Sequence, residues 1–241
     1  MRGGARRRNE PYPLGQFPDK LLFDIAKQIV HRLAIGLGDI TGDDFGTIFA
    51  HAVGGTHRGK PLGVADVEFN GCAWSIKTVK SDKPFDVSMV RLISGRNSPD
   101  YSLNIRDPHI NPENTGRAVL AIWNARVNEA MDEYDDLRIV VMIRNMETRE
   151  FSIFEEEAQR FTPTDFSWTF NRRGNLDGHN KSTEAHEFTW QPHGSQFTVR
   201  RNVPASARRF KINPNIPMVQ PDTIFTAIKF KPEWITIYGQ D

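Results

Sequence analysis

The stretch that most limits how this chain can fold runs from Leu62 to Lys80, LGVADVEFNGCAWSIKTVK. Asn70-Gly71 is the strongest short signal for a two-residue hairpin turn, and it fixes a register. Phe69 then faces Cys72, Glu68 faces Ala73, Val67 faces Trp74, Asp66 faces Ser75 and Val64 faces Lys77. Side chains alternate along a strand. One face of the hairpin therefore carries Ala65, Val67, Phe69, Cys72, Trp74 and Ile76, all apolar. The other gathers Asp66, Glu68, Ser75 and Lys77, with Val64 and Ala73 beside them. The plain reading is a hairpin whose polar face meets solvent. The alternative is a site that holds a divalent metal and steadies a phosphate, because a strand pair with only a structural role has no need of that cluster.

The flanking elements give the hairpin a setting. Leu22, Ile25, Ala26, Ile29, Val30 and Leu33 recur at helical spacing, which predicts a helix over Phe17 to Ile35. A second helix is expected from about Thr41, with Asp43 and Asp44 in its first turn, ended by Gly54-Gly55. His57, Arg58 and Lys60 form a basic loop into the hairpin. Val87 to Ser94 reads equally as strand or short helix. Asn97 to Asn114 is loop, and Thr115 or Asn114 caps a helix to about Tyr134, with Val119, Ile122, Trp123, Val127, Ala130 and Met131 on its buried stripe. Leu137 to Arg144 is an apolar strand, which Arg149 to Phe154 follows through a turn at Met146-Glu147.

From about Thr162 the texture changes to short β-prone runs between prolines: FSWTF, EFTW, QFTVRR, RRFKI, TIFTAIKF and WITIYG. Here the charge distribution says more than the total. The net charge is only +1, yet Lys and Arg outnumber Asp and Glu nine to four between Arg160 and Lys211. The loop FNRRGNLDGHNK, with Arg172 and Arg173 before one glycine turn and ahead of another, has the form of a tip that reaches into a DNA groove. Its plain reading is a solvated hairpin tip. The start of the chain, MRGGARRRNEPYP, carries four arginines and no acid before Glu10; it reads as a mobile arm, either solubilising or gripping nucleic acid. Cys72 is the sole cysteine, so no intrachain disulfide is expected, which fits a cytoplasmic protein. No apolar run approaches a membrane span. No glycine-rich nucleotide loop exists, so no nucleotide cofactor is expected. The histidines lack zinc-ligand spacing and read as structural or surface groups.

Cleaving a phosphodiester needs a metal to activate water, ligands that hold it openly, and positive charge near the attacked phosphate. Magnesium takes oxygen ligands and keeps several waters, so one or two carboxylates suffice. Asp66 and Glu68 share a face, Ser75 lies across from Asp66, and Lys77 is one step further. A lysine beside carboxylates can hold or deprotonate a nucleophilic water.

Asp66, eight residues, then Ser75-Ile76-Lys77 resembles the PD-(D/E)xK motif of restriction-endonuclease-like nucleases. In that family an Asp begins one strand and an acid-x-Lys lies on its hairpin neighbour. The helix-strand-strand-helix-strand order from Phe17 to Arg144 resembles the family core. Two positions depart from it: Ala65 replaces the proline and Ser75 the first acid of the triplet. Some restriction enzymes carry Ser there and bring the carboxylate from elsewhere in the fold. The nearest substitute here is Glu68, followed by Asp44 or Asp43 on the preceding helix.

The resemblance implies an α/β (α+β) fold: a restriction-endonuclease-like mixed-sheet core flanked by helices, with a β-rich C-terminal part. The expected division is a flexible basic arm over 1–16, a nuclease-like catalytic core over 17–160 and a β-rich DNA-recognition part over 161–241, separate or within the same domain. It implies a Mg²⁺-dependent, site-specific double-stranded DNA endonuclease of type II restriction character. Asp66, Glu68, Ser75 and Lys77 would be catalytic. Asp66, Glu68 and Asp44 would supply metal ligands. Arg91, Arg96, Asn97, Arg172 and Arg173 would contact DNA. A homodimer is expected, since a palindromic site is matched by a two-fold protein. The alternatives are a non-catalytic DNA-binding protein, such as a modified-base reader on a nuclease-like scaffold, and a β-rich structural protein without chemistry.

Overall fold

In the computed structural model, which describes residues 11–59 and 64–238, the stripe Leu21, Leu22, Ile25 and Ile29 winds into α1 (Asp19–Ala34). α2 (Gly42–Val53) starts at a capping box between Thr41 and Asp44 and ends at Gly54 with φ 75°, a conformation glycine favours. β1 (Thr56–His57), β2 (Val67–Phe69) and β3 (Cys72–Lys80) follow. The ambiguous Val87 to Ser94 stretch is a strand, β4 (Met89–Arg96). After the short α3 (Pro99–Leu103) comes the 22-residue α4 (Pro112–Glu133). Its cap is Asn111, whose side chain accepts from the Asn114 N–H, so α4 starts earlier than the expected Asn114 or Thr115 cap. β5 (Asp136–Asn145) and β6 (Glu150–Glu157) form the expected antiparallel pair. Then come β7 (Phe166–Phe170), β8 (Leu176–Asn180), β9 (His186–Gln191), β10 (Gln196–Asn202), β11 (Arg208–Lys211) and α5 (Pro221–Ala227).

These elements build a mixed α+β fold on two sheets. The six-stranded sheet has the order β1-β2-β3-β5-β6-β11, and the five-stranded sheet β4-β10-β9-β8-β7. β3 and β5 run parallel, and α4 lies in the crossover that a parallel pair requires. One face of the larger sheet, with Trp74, Val140, Met142 and Phe151, packs under Ile25, Phe45 and Phe49 of α1 and α2. The opposite face meets α4 and the inner side of the smaller sheet, where Val119, Trp123, Trp168, Phe188 and Phe197 share one core. Gly116 lets α4 approach that sheet, because the Trp168 ring lies where a Cβ would be.

Three expectations change, and the two parts left as separate or as one domain prove interleaved. β4 comes from the first part but pairs with β10, and β11 comes from the second part but pairs with β6. The parts divided at residue 160 therefore share cores. The expected flexible arm over 1–16 is anchored in its last residues, and its arginines lie outside the described residues. Tyr12 is buried and donates to Glu155 at 3.1 Å, and the Gly15 N–H donates to the same carboxylate at 2.9 Å. Arg138, fully buried, completes this knot with Glu155 at 2.9 Å and Asp136 at 2.6 Å. Gly178 sits inside β8 beneath Trp168 rather than in a turn. TIFTAIKF holds α5 instead of a strand, and no strand forms over the described part of WITIYG. Both runs are β-prone in composition but have no sheet edge beside them to pair with.

Candidate active site

Asn70 at φ 49° and Gly71 at φ 81° make the tight turn, and the register below it pairs Phe69 with Cys72, Glu68 with Ala73 and Val67 with Trp74. β2 is only three residues long. The Asp66 N–H still donates to the Trp74 carbonyl at 2.8 Å, but beyond this bond the two strands part. The Asp66 carboxylate then does what a strand carbonyl would do: its Oδ2 accepts from the Ile76 N–H at 2.7 Å. Ser75 Oγ donates more distantly to the same oxygen, at 3.5 Å. Because the strand leaves the pleat here, Ala65 does not join Val67; it packs with Val64 against the α4 side. Leu62 of the expected hairpin lies outside the described residues.

The polar face of the hairpin is half covered: Asp66, Glu68 and Lys77 keep part of their surface in solvent. Ala73 and Ser75 are buried toward the α4 layer, Ser75 to 2% exposure. Lys77 follows on the same side, where the strands have parted. A cleft of about 290 Å³ opens at this point, lined by Gly42, Asp43, His57, Gly59, Asp66, Ile76 and Lys77. Burial around the Lys77 ammonium holds its pKa below the ordinary lysine value, against the opposing pull of Asp66. β1 forms the far wall, since His57 pairs with Val67 and the Arg58 N–H donates to the Asp66 carbonyl at 2.8 Å. The His57 ring rests on Gly46, where a Cβ would come within 2.5 Å of Nε2. Its Nδ1 lies 3.2 Å from Thr47 Oγ1 and its Nε2 3.6 Å from Asp43 Oδ1.

Of the expected site residues, the structure brings Asp66 and Lys77 into one cleft, with Ser75 adjoining. It places Glu68 elsewhere. Arg58 pairs with Glu68 at 2.6 Å and the Tyr134 hydroxyl donates to it at 2.7 Å, so Glu68 ties β2 to the end of α4. Asp44 is also committed: it closes the capping box with Thr41 and pairs with Arg32 at 2.6 Å. Burial pushes the Asp44 pKa up, but the Thr41 bonds and Arg32 outweigh it and hold the carboxyl below its usual value. Asp43, one residue earlier, is the helix carboxylate that faces the cleft, with its side chain 81% exposed. Asp66 has a second oxygen beyond the one that meets Ile76. Asp43 and Asp66 thus offer a hard cation two carboxylates with room for water, a donor set that fits magnesium. Among the described residues no group of three or more acidic, histidine or cysteine side chains forms a ready metal cage.

The DNA-contact candidates divide similarly. Arg91 and Arg96 are exposed, and Arg91 stands directly across from Arg200 on β10. Arg172 and Arg173 are exposed at the β7–β8 tip, whose Gly174 has φ 73°. Asn97 is a correction. It is fully buried: its Nδ2 donates to the Val119 carbonyl at 2.9 Å, its Oδ1 accepts from Arg126 at 2.9 Å, and its carbonyl accepts from Trp190 at 2.7 Å. It joins α4 to β9 at the end of β4, with its amide and its carbonyl engaged inside the fold.

Sequence reasoning ranked Asp43 behind Glu68 and missed His57. For Asp43 a signal was present: the Thr41-x-x-Asp44 spacing is a capping box, which commits Asp44 and leaves its neighbour free. For His57 there was none, because its place depends on a two-residue strand. Comparison of the chain with family models, curated proteins and solved structures found no match. Among the described residues no helix is long and apolar enough to cross a membrane.

Proposed function

We propose that this protein is a Mg²⁺-dependent, site-specific double-stranded DNA endonuclease of type II restriction character, built on a restriction-endonuclease-like core. One observation carries the reading: Lys77, with a lowered pKa, shares a cleft with Asp66 where the hairpin strands part. A desolvated lysine is a costly element for a purely structural sheet and a useful one beside a reacting phosphate. Asp66 and Asp43 would hold the magnesium ion, which would supply Lewis-acid activation of water and of the phosphoryl oxygen. Lys77 would hold the attacking water and take its proton. The N-terminus of α2 at Gly42 adds the positive end of a helix dipole, which favours an anion. Arg91 facing Arg200 supports nucleic acid as the partner, since like charges directly across a strand pair are unfavourable until an anion neutralises them. Arg96, Arg172 and Arg173 would extend that contact. A homodimer would match a palindromic site.

The test is incubation of plasmid and phage DNA, methylated and unmethylated, with the protein and Mg²⁺, followed by sizing of the products. Discrete fragments, lost with EDTA and with Lys77→Met, are the expected outcome. A gel shift without cutting under every condition would replace this reading with the non-catalytic DNA-binding one, and neither cutting nor binding would refute both.

A further inference from the structure

Val219, whose N–H donates to the Ala34 carbonyl at 2.7 Å, is the last described residue with a backbone hydrogen bond to the body of the chain. Every backbone hydrogen bond of residues 220–238 among the described residues is local to that segment. Yet the segment is strongly apolar: Phe225, Phe230, Trp234, Ile235, Ile237 and Tyr238 are all exposed, Ile237 to 89%. Its rings are already ordered against one another, Phe225 to Phe230 at 5.3 Å and Phe230 to Trp234 at 5.7 Å. An apolar surface of this kind on a folded chain marks an interaction site.

The same molecule carries an apolar groove of about 590 Å³ between α1 and β11. Leu22, Phe23, Ala26 and Val30 form one wall, a second stripe of α1 beside the one the core buries, and Phe23 is 70% exposed. The other wall is the unbroken run Arg208 to Ile212. β11 ends the larger sheet, so among the described residues one of its edges has no strand beside it. A groove next to an open strand edge takes an extended segment with aromatic and β-branched side chains. Trp234-Ile235-Thr236-Ile237-Tyr238 is such a segment. The molecule's own copy does not fill the groove: the chain leaves it at Ile216 and runs to the far end of α1 at Ala34.

We infer that two copies of this chain exchange these tails, each docking residues 220–238 into the partner's groove with the Trp234–Tyr238 run along the β11 edge. Reciprocal exchange is closed and two-fold. The four aromatic side chains of one tail, between 38% and 87% exposed, still offer about 350–600 Å² for burial. Two tails, together with the groove walls they cover, thereby reach the size of a standard stable interface, about 1,200–2,000 Å². The inference specifies how the proposed homodimer is held and does not depend on what the cleft does.

Sedimentation or light scattering of the full chain is expected to give a dimer. A chain ending at Gln220, and separately Phe23→Glu, should each raise the dimer dissociation constant about thirtyfold or more, the effect of losing an aromatic hot spot. Neither change touches a core residue, so near-UV circular dichroism should stay that of the wild type. Ile237→Asp gives the same test if the shortened chain fails to fold. Mixing the shortened chain with Phe23→Glu should restore a one-to-one complex, because one intact groove and one intact tail remain. A full chain that stays monomeric overturns both the dimer and this interface. A dimer that survives the tail and groove changes overturns the interface alone.

Discussion

Asp66 has a structural contact and a proposed role as metal ligand, and two substitutions separate them. Its Oδ2 accepts from the Ile76 N–H at 2.7 Å in a partly buried setting. Asp66→Ala removes the acceptor and strands that donor, which costs about 1–3 kcal/mol. In a domain of this size each kcal/mol lowers Tm by about 2–4 °C, so the Ala variant should melt roughly 2–12 °C below wild type. Asp66→Asn keeps an oxygen in place and loses only the charge, so its Tm should fall by no more than about 4 °C. Both variants lose the anionic ligand and should cut at least about a hundredfold more slowly, some 2.7 kcal/mol of barrier. The assay pairs melting curves with Mg²⁺-dependent plasmid nicking at a temperature where all three proteins are folded. An Asn variant that cuts at the wild-type rate refutes the catalytic role. An Ala variant that melts with wild type refutes the account of Asp66 as a replacement for a strand carbonyl. The Asn variant alone therefore separates a role in cleavage from a role in folding.

Lys77→Met should stop cutting and raise stability at pH 7, because it removes a desolvated charge. The Lys77 pKa is lower folded than unfolded, so between the folded pKa and the ordinary 10.5 the unfolded chain binds more protons; wild type should gain on the Met variant as pH rises through that window, and a constant gap in urea melts would contradict it. Asp43→Ala should raise the Mg²⁺ concentration needed for half-maximal cutting, whereas Glu68→Ala should leave it unchanged and lower stability by about 1 kcal/mol through Arg58 and Tyr134; the reverse pattern in Mg²⁺ titrations would return the ligand role to Glu68. Gly116→Ala should lower stability by about 1–3 kcal/mol by pressing a Cβ into the Trp168 ring, although alanine otherwise favours a helix, and a raised Tm would show that the close approach is absent. Arg172→Ala or Arg173→Ala should lose about 1–3 kcal/mol of cognate DNA binding and spare scrambled duplex if that arginine reads a base, measured in Ca²⁺ at several salt concentrations; no change on either duplex leaves the tip without a DNA role.

The hairpin register was legible because Asn70-Gly71 permits few turns and one register carries six apolar residues to one side. The helices were legible because burial repeats at their own period. What failed depends on partners distant in the chain. β4 gives no clear period, and its neighbour β10 is about a hundred residues away, so its sheet could not be assigned locally. Asn97 sits in an Asn- and Pro-rich stretch that reads as surface, but Val119, Arg126 and Trp190 arrive from two other elements to bury it. The tail was misread for a simpler reason. Phe, Ile, Trp and Tyr promise a strand only where a strand edge exists to receive them, and none lies beside 221–238 within the chain.

The shape of the cleft also bears on which of the competing readings Lys77 serves. A protein that only grips DNA gains from lysines that are exposed and fully charged, since each neutralises a phosphate and releases counterions. Burying such a lysine weakens that contact by favouring its neutral form. A group that takes a proton from water near neutral pH gains from the same burial, because its pKa moves toward the working pH. Here the hairpin itself creates the burial. β2 stops after three residues, the Asp66 carboxylate replaces the missing ladder acceptor, and the α4 layer seals the sheet beneath. The opening beside β1 and the α2 N-terminus reaches Lys77. That arrangement shields one ammonium beside one carboxylate and leaves the exposed arginines, Arg91, Arg96, Arg172 and Arg173, to meet phosphate. On the proposed reading, binding and chemistry would fall to different cations, and loss of Lys77 should abolish cleavage while DNA affinity is retained.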